Sequence, residues 1–396
     1  MSPSAAVAAD PAREIEALRL CARRVLDEES GTRLRRLAEA GLDWDGLHRL
    51  AWWHGILPLV ARHAGSLEEG LVPPAARAAL RGAAVEIARR NLVFLAELFR
   101  VLDRLMAESI PAIPLKGPVL AVTVYGDLAL REFTDLDVLV DRNDALRARG
   151  ALADLGYVPL LDVPPAAESS LLRAGNAIAL ERASAELCVE VHWRFFPRHF
   201  RFPLEATGPL ERLETVIVQG REIPQLAPED QLLFLCAHGF RHAWERLEWV
   251  AGVAELVRGR AGLDWEAAVE RAERLGGRRL LGLGLHLAAE DLDAPVPVAA
   301  LAWTADPAVL DLAARVRSRW SSGAVGPLPR AEETRFRLRG RERFRDRAQY
   351  LFRLATTPGP ADWGVVRLGR GAAPLYGGIR LVRLGLKYSR RVLRRG

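Results

Sequence analysis

Apolar positions recur at helical spacing through EIEALRLCARRVLDEE, TRLRRLAEAGL and WDGLHRLAWWHGILPLVARHA, and predict helices across residues 11–64. Trp52, Trp53 and His54 read as packing residues of a helix that Gly55 and Pro58 end, because aromatic side chains dominate cores and no acidic partner adjoins. Pro73-Pro74 marks a break. From Pro74 a long helix is predicted to about Glu108, its apolar stripe formed by Leu92, Leu95, Leu98, Leu102 and Leu105.

The pattern then changes to period two. Ile110–Leu115 reads as a short buried strand, and Asp135–Val140 (DLDVLV) as a second one. Leu136, Val138 and Val140 face a core while Asp135 and Asp137 project together to the other side. Residues 141–156 read as a helix, and 175–182 with 185–193 as an antiparallel hairpin. In the second arm Leu187, Val189, Val191 and Trp193 alternate with Cys188, Glu190, His192 and Arg194, so Glu190 and His192 share a polar face. Another hairpin turns at Gln219-Gly220. A helix opens at Pro228, and helices continue to about residue 292. Beyond Pro295 and Pro297 come helices near 299–318, a Gly/Pro-rich break at 321–329, an Arg-dense helix over 332–354 and a tail, 379–396. These elements predict an α+β fold: a small mixed-sheet core over 109–226 flanked by an N-terminal helical region (1–108), a helical segment packed on the core (227–294) and a C-terminal helical, basic extension (295–396).

Two carboxylates two residues apart on a strand suit a divalent cation. Mg²⁺ (or Mn²⁺) takes hard oxygen ligands and completes its shell with water and phosphate. Asp135 and Asp137 are therefore candidate ligands, with Glu190 as the third. Lys116-Gly117 sits where a strand turns into a helix, so backbone N–H groups and the Lys116 charge can face a phosphate, and Pro118 suits the first helical turn. Tyr125 and Arg131 lie on the connection to the acid pair, which must pass close to the metals, so Tyr125 is, with His192, a candidate substrate contact. Arg131 fits a bidentate phosphate clamp, the alternative being an ion pair with Glu132 or Asp135. His192 reads as a packing or hydrogen-bonding residue rather than a ligand, since Mg²⁺ prefers oxygen. His238 and His242 are four apart on one helical face, but H-G-F-R-H lacks the Glu of a zinc protease, which leaves substrate contact or packing.

In order, PLKGPVL, Y-G-D-x-x-x-R, DLDVLV, a Gly-Tyr, VEVHW and EDQLLFLCAHGFRHAWERLEWV resemble the uncharacterised nucleotidyltransferase family of the DNA polymerase beta superfamily, across roughly residues 50–275. The resemblance implies a glycine at the start of a helix under a nucleoside triphosphate, two metal-binding aspartates and a third acid on a later strand. Here these fall on Gly117, Asp135, Asp137 and Glu190. It implies transfer of a nucleoside monophosphate from an NTP to an acceptor, a small molecule, peptide or protein, with pyrophosphate leaving. The chain departs from the superfamily pattern in having Lys116-Gly117-Pro118 rather than Gly-Gly or Gly-Ser, eighteen positions from Gly117 to Asp135, and Gly252 where an Asp is expected. Two other readings stand beside it: a metal-dependent glycosyltransferase, whose D-x-D also holds a cation under a sugar nucleotide, and a degenerate nucleotide-binding or interaction protein.

Composition narrows the setting. Half the residues are hydrophobic and 27% charged, as in globular proteins, and the net charge of +6 gives a general affinity for anions without demanding nucleic acid. Cys21, Cys188 and Cys236 have no C-x-x-C spacing, so a zinc knuckle and a disulfide framework are both unsupported. The N-terminal segment carries acids where a signal peptide needs an apolar core, and no apolar run spans a membrane, which together predict a cytoplasmic protein. The tail has seven Lys or Arg and no acid, with Leu381, Leu384, Tyr388 and Val392 near one stripe. It reads as a helix interrupted at Gly385 that packs on its own domain in preference to docking on an anionic membrane or nucleic acid.

Overall fold

Period-two segments form five strands of one mixed sheet: β1 Ala112–Pro114, β2 Leu136–Val140, β3 Val158–Pro159, β4 Ala177–Arg182 and β5 Leu187–His192. Their order is β1-β2-β5-β4-β3, with β2 and β5 parallel and the other pairs antiparallel. A hairpin of β6 Glu214–Val218 and β7 Arg221–Gln225 stands apart, with Gln219-Gly220 in its turn. This computed structural model describes residues 11–364, 366, 368 and 375–393; residues 1–10 of the N-terminal segment and 394–396 of the basic tail lie outside them.

β2 is buried along its whole length. Leu136, Val138 and Val140 share one core with Val189, Val191 and the long helix Pro74–Ala107, as the alternation requires, while Leu139 on the opposite face belongs to the other. That larger core runs from Ile15 to Phe336 and draws in the N-terminal helices, the helices after Pro228 and the C-terminal helices. The chain is thus a mixed α/β protein whose sheet is flanked by helices on the N- and C-terminal sides. Among the described residues, no helix is long and apolar enough to cross a membrane.

Several expectations shift. Leu92 is 60% exposed, and the neighbouring Asn91 is fully buried in its place because its amide serves the core. Trp52 is likewise exposed, whereas His54 is buried and its Nδ1 accepts from the Leu247 N–H. The helix expected over 141–156 is shorter, Ala145–Ala153, because Asp141 spends its carboxylate and carbonyl on a turn, accepting from the Asn143 and Asp144 N–H groups. The helix expected over 332–354 is two, Arg330–Arg339 and Phe344–Thr356. They part at Gly340, where a Cβ would stand 2.2 Å from the Phe240 ring, and at Arg341, which is buried over the Phe200 ring. Gly385 does not interrupt the last helix, Tyr376–Leu393. Glycine weakens a helix by only about 1 kcal/mol, and Arg380 and Arg383 anchor this one on the buried Asp362 at 3.1 and 2.6 Å. Of its expected stripe, Leu384 is half-buried and Leu381 exposed.

Asn91 ties the long helix to the loop that carries Arg131. Its Nδ2 donates to the carbonyls of Leu128 and Arg131 at 2.7 and 2.8 Å. Asn91→Leu keeps the volume and strips both carbonyls of their donor, so it is expected to lower unfolding stability by about 2–6 kcal/mol, two unsatisfied groups at about 1–3 each. An unchanged urea midpoint would show that water replaces the amide at no cost.

Candidate active site at the edge of the parallel strand pair

The β2–β5 register sets Asp137 beside Glu190 and Leu139 beside His192. Parallel neighbours in register share a face, so both acids and the imidazole project together. The Leu115 N–H donates to the Asp137 carbonyl at 3.0 Å, which extends the β1 pairing and delivers Lys116 to the same spot. Its Nζ lies 2.9 Å from Asp137 Oδ2. Gly117 then turns the chain into the helix Pro118–Thr123 with φ +62°, a conformation that side-chain-bearing residues rarely adopt.

Asp137 is 4% exposed and held from two sides. His192 Nε2 stands 2.9 Å from its Oδ1 and 3.1 Å from Glu190 Oε2. The side-chain amide of Asn176 lies 3.2 Å from His192 Nδ1 and fixes the ring plane. Burial by itself would raise the Asp137 carboxyl, but Lys116 and His192 outweigh it and hold the group well below the usual carboxylate range. Burial likewise opposes a charged His192, yet the two carboxylates lift its ring to about 9. The hydrogen bond from His192 lowers Glu190. Asp135, just before β2, makes no hydrogen bond or ion pair among the described residues, and burial, with Asp137 and Glu190 adding to it against Lys116, raises its carboxyl.

These groups line a cleft of about 270 Å³. Its far wall comes from two helices, Pro228–Arg241, carrying Phe234, His238 and Arg241, and Leu247–Gly259, carrying Glu248 and Trp249. Between them Ala243 and Trp244 take φ of +52° and +53° and reverse the chain. Trp244 is fully buried and lies so close to Gly239 that a Cβ there would meet its ring at 2.4 Å. The rings of His238, His242 and Trp249 stack edge and face, with centroids 4.8–5.8 Å apart. Burial and the nearby cations Arg241 and Lys116 push His242 down to about 3 and His238 well below its ordinary value, so both are neutral. Glu248 pairs with Arg246 at 3.1 Å.

Of the residues expected from sequence, Lys116, Arg131, Asp135, Asp137, Glu190, His192, His238 and His242 all line this cleft. Tyr125 does not: it is 2% exposed inside the larger core. Arg131 forms neither anticipated ion pair. Glu132 binds Arg90 at 2.9 Å instead, and Arg131 Nη1 is buried with no hydrogen-bond partner, the guanidinium lying 6.0 Å from the Phe133 ring centre. The group whose ligand atoms converge within 4.8 Å is Asp137, Glu190 and His192. Arg241, Arg246, Glu248 and Asn176 were not found by sequence reasoning, since nothing in spacing says which helical face meets the sheet. A larger groove of about 980 Å³ lies between the helices Pro307–Ser321 and Arg330–Arg339, but its Asp311 is already paired with Arg315 and Arg339, and it gathers no comparable cluster.

The neutral His242 makes stability depend on pH in one direction. Above 6.5 neither folded nor unfolded chain holds a proton there, so the ring has no effect. As pH falls from 6.5 toward 3 the unfolded chain takes up the proton and the folded one does not, and stability drops by at most about 1.4 kcal/mol per pH unit. His242→Gln is expected to flatten the fall of Tm between pH 6.5 and 4.5 relative to wild type. Coincident profiles would mean that the ring is protonated in the fold.

The sequence model of a family described as an uncharacterised nucleotidyltransferase matches residues 40–293, well over half the chain and slightly more than the motifs alone suggested. No curated protein matches, and no solved structure matches.

Proposed function

The chain belongs to the uncharacterised nucleotidyltransferase family, and from that premise we propose that it moves a nucleoside monophosphate from an NTP to an acceptor hydroxyl with the help of a divalent cation. The observation that carries this reading is the meeting of Asp137 and Glu190 on adjacent parallel strands, in one cleft with the unpaired guanidinium of Arg131. The donor set fits a cation such as Mg²⁺ or Mn²⁺. The Asp135 carboxylate makes no hydrogen bond or ion pair among the described residues, and Oδ2 of the buried Asp137 is held by Lys116 alone, so hard oxygens are on offer once Lys116 turns to a phosphate. Asp135, Asp137 and Glu190 would hold the ion. When bound, it neutralises phosphate charge and lowers the pKa of an acceptor hydroxyl.

The remaining roles follow from charge and position. Arg131 matches two phosphate oxygens at once, and Lys116 adds a point charge beside the positive-φ turn at Gly117. Arg241, whose side chain makes no hydrogen bond or ion pair among the described residues, is a further anion-binding group at the cleft wall. Glu190, kept ionised by His192, accepts a hydrogen bond from the acceptor hydroxyl. The acceptor oxygen gives its proton to the Glu190 carboxylate as it bonds to the α-phosphorus, the bond from that phosphorus to the bridging oxygen of the β-phosphate breaks, and pyrophosphate departs. His238 and His242, uncharged and stacked on Trp249, offer ring faces to a substrate without competing for its phosphates. The acceptor is a small molecule, a peptide or a protein. A reaction fed by NTP and three free thiols both suit the cytoplasm. The five-stranded mixed sheet weighs against a glycosyltransferase, which needs an extended doubly wound sheet ahead of its acid pair.

Incubating the full chain with each NTP, Mg²⁺ or Mn²⁺ and a fractionated lysate, and following nucleotide labelled at the α-phosphate, tests the reading. Label should pass to one fraction with release of pyrophosphate. Asp135→Asn and Asp137→Asn should each lower transfer by at least about 100-fold, beyond the 10–100-fold typical of groups behind a metal ligand. Their stabilities should differ. Asp135→Asn relieves repulsion and should melt at or above wild type, whereas Asp137→Asn leaves Lys116 and His192 without their partner and should melt lower. Full transfer in both variants would end the cation-dependent reading.

A further inference from the structure

The cation site contains a nitrogen donor as well as oxygens. His192 is 5% exposed, and its Nε2 is directed at Asp137 Oδ1 and Glu190 Oε2 together, at 2.9 and 3.1 Å. Two ligand atoms at right angles about an ion, each about 2.1 Å from it, stand about 3.0 Å apart. Both separations match that spacing, so Nε2 can stand at a corner next to each carboxylate oxygen, and the three ligand atoms all lie within 4.8 Å of one another. The second oxygen of Asp137, nearly fully buried, is held by the Lys116 ammonium at 2.9 Å, which leaves it to a cation once Lys116 turns to a phosphate. At the other ring nitrogen Asn176 Nδ2 stands 3.2 Å away and orients the ring; turning that amide over would present its oxygen to the Nδ1–H of a metal-bound histidine.

Resting on the nucleotidyltransferase reading, we propose that His192 is itself a ligand, so that Asp137, Glu190 and His192 form a mixed nitrogen–oxygen site selective for a first-row divalent transition metal, Mn²⁺ above Mg²⁺. Mg²⁺ takes oxygen donors in a near-ideal octahedron and gives up its waters reluctantly, so an imidazole in the shell penalises it. Transition-metal ions accept imidazole readily. Asp135, free and beside the group, supplies a fourth donor or faces a second ion shared with the triphosphate. Sequence reasoning set His192 aside because the metal was assumed to be Mg²⁺; the distances reverse the order of inference and let the donor set name the metal.

Electron paramagnetic resonance of the full chain titrated with Mn²⁺ tests this without reference to turnover. The free ion gives a six-line signal that is lost on binding, and the bound ion's pulsed spectrum carries a modulation from a directly ligated ¹⁴N. Wild type should bind Mn²⁺ with the nitrogen modulation and prefer it to Mg²⁺ by about tenfold or more in competition. His192→Gln should abolish the modulation and narrow that preference, while His238→Gln and His242→Gln keep both. Should His192→Gln fail to fold, labelling the histidines of the unmutated chain with ¹⁵N must change the modulation frequency. Bound Mn²⁺ with no nitrogen modulation, or a modulation untouched by His192→Gln or by the label, overturns His192 as a ligand and leaves the carboxylate site standing. Absence of any bound Mn²⁺, even with a non-hydrolysable NTP analogue present, overturns the cation site and this inference together.

Discussion

The carboxylate of Asp137 is the group on which the site's arrangement depends. A charge buried to 4% exposure is tolerable only with partners, and here each partner comes from a different segment: Lys116 from the end of β1 and His192 from β5. The backbone repeats the same tie, because the Leu115 N–H bonds the Asp137 carbonyl and the β2–β5 ladder runs beside it. One acid thus couples the order β1-β2-β5 to the convergence of a lysine, two further acids and an imidazole. Losing one partner of such a buried pair costs about 3–5 kcal/mol, so the residues that line the cleft also hold the neighbouring strands in register.

The cleft is also a managed imbalance of charge. Three carboxylates crowd one end, and Lys116, Arg131, Arg241 and Arg246 border the rest, yet only Lys116 and Arg246 are paired with acids. If Arg131 had bonded Glu132, the cleft would hold one unpaired cation fewer. Arg90 prevents this by occupying Glu132, and Asn91, one residue further along the same helix, holds the Arg131 carbonyl in place. A buried guanidinium nitrogen without a partner is unfavourable for folding and favourable for an anion that brings its own oxygens. The neutral histidines complete the scheme, since two imidazolium rings beside Arg241 would repel each other and that guanidinium.

Much of the sheet side was legible in the sequence. Period-two alternation places side chains by parity alone, which is why Asp135 could be paired with Asp137 and Glu190 with His192 before any contact was known, whereas bringing Asp137 beside Glu190 took the β2–β5 register. The glycine after Lys116 was legible because it stands between an apolar run and a proline, where only a strand-to-helix turn fits. The helical wall was not. A helix offers many faces, and the choice that turns Arg241, Glu248 and Trp249 inward depends on the reversal at Ala243-Trp244, two residues that carry no turn signature and reach positive φ only because Trp244 is locked against Gly239. Leu92 fails for the related reason that spacing cannot tell a buried amide serving two carbonyls from a polar residue at the surface.

The C-terminal third, beyond the span that the family model matches, has a structural consequence for the same wall. Trp320 Nε1 donates to the Trp244 carbonyl at 2.9 Å, Leu328 N–H to Glu245 at 2.6 Å, and Arg337 Nε to the Arg241 carbonyl at 3.1 Å. Gly340 lies directly on the Phe240 ring. These contacts fall on Phe240, Arg241, Trp244 and Glu245, on both sides of the reversal that aims Arg241 and His242 at the cleft. A left-handed turn of non-glycine residues is strained by itself and persists only when its surroundings over-determine it. The C-terminal segment provides that determination from behind without a hydrogen bond to Asp135, Asp137 or Glu190, so the part of the chain with no motif of its own braces the wall opposite the motif.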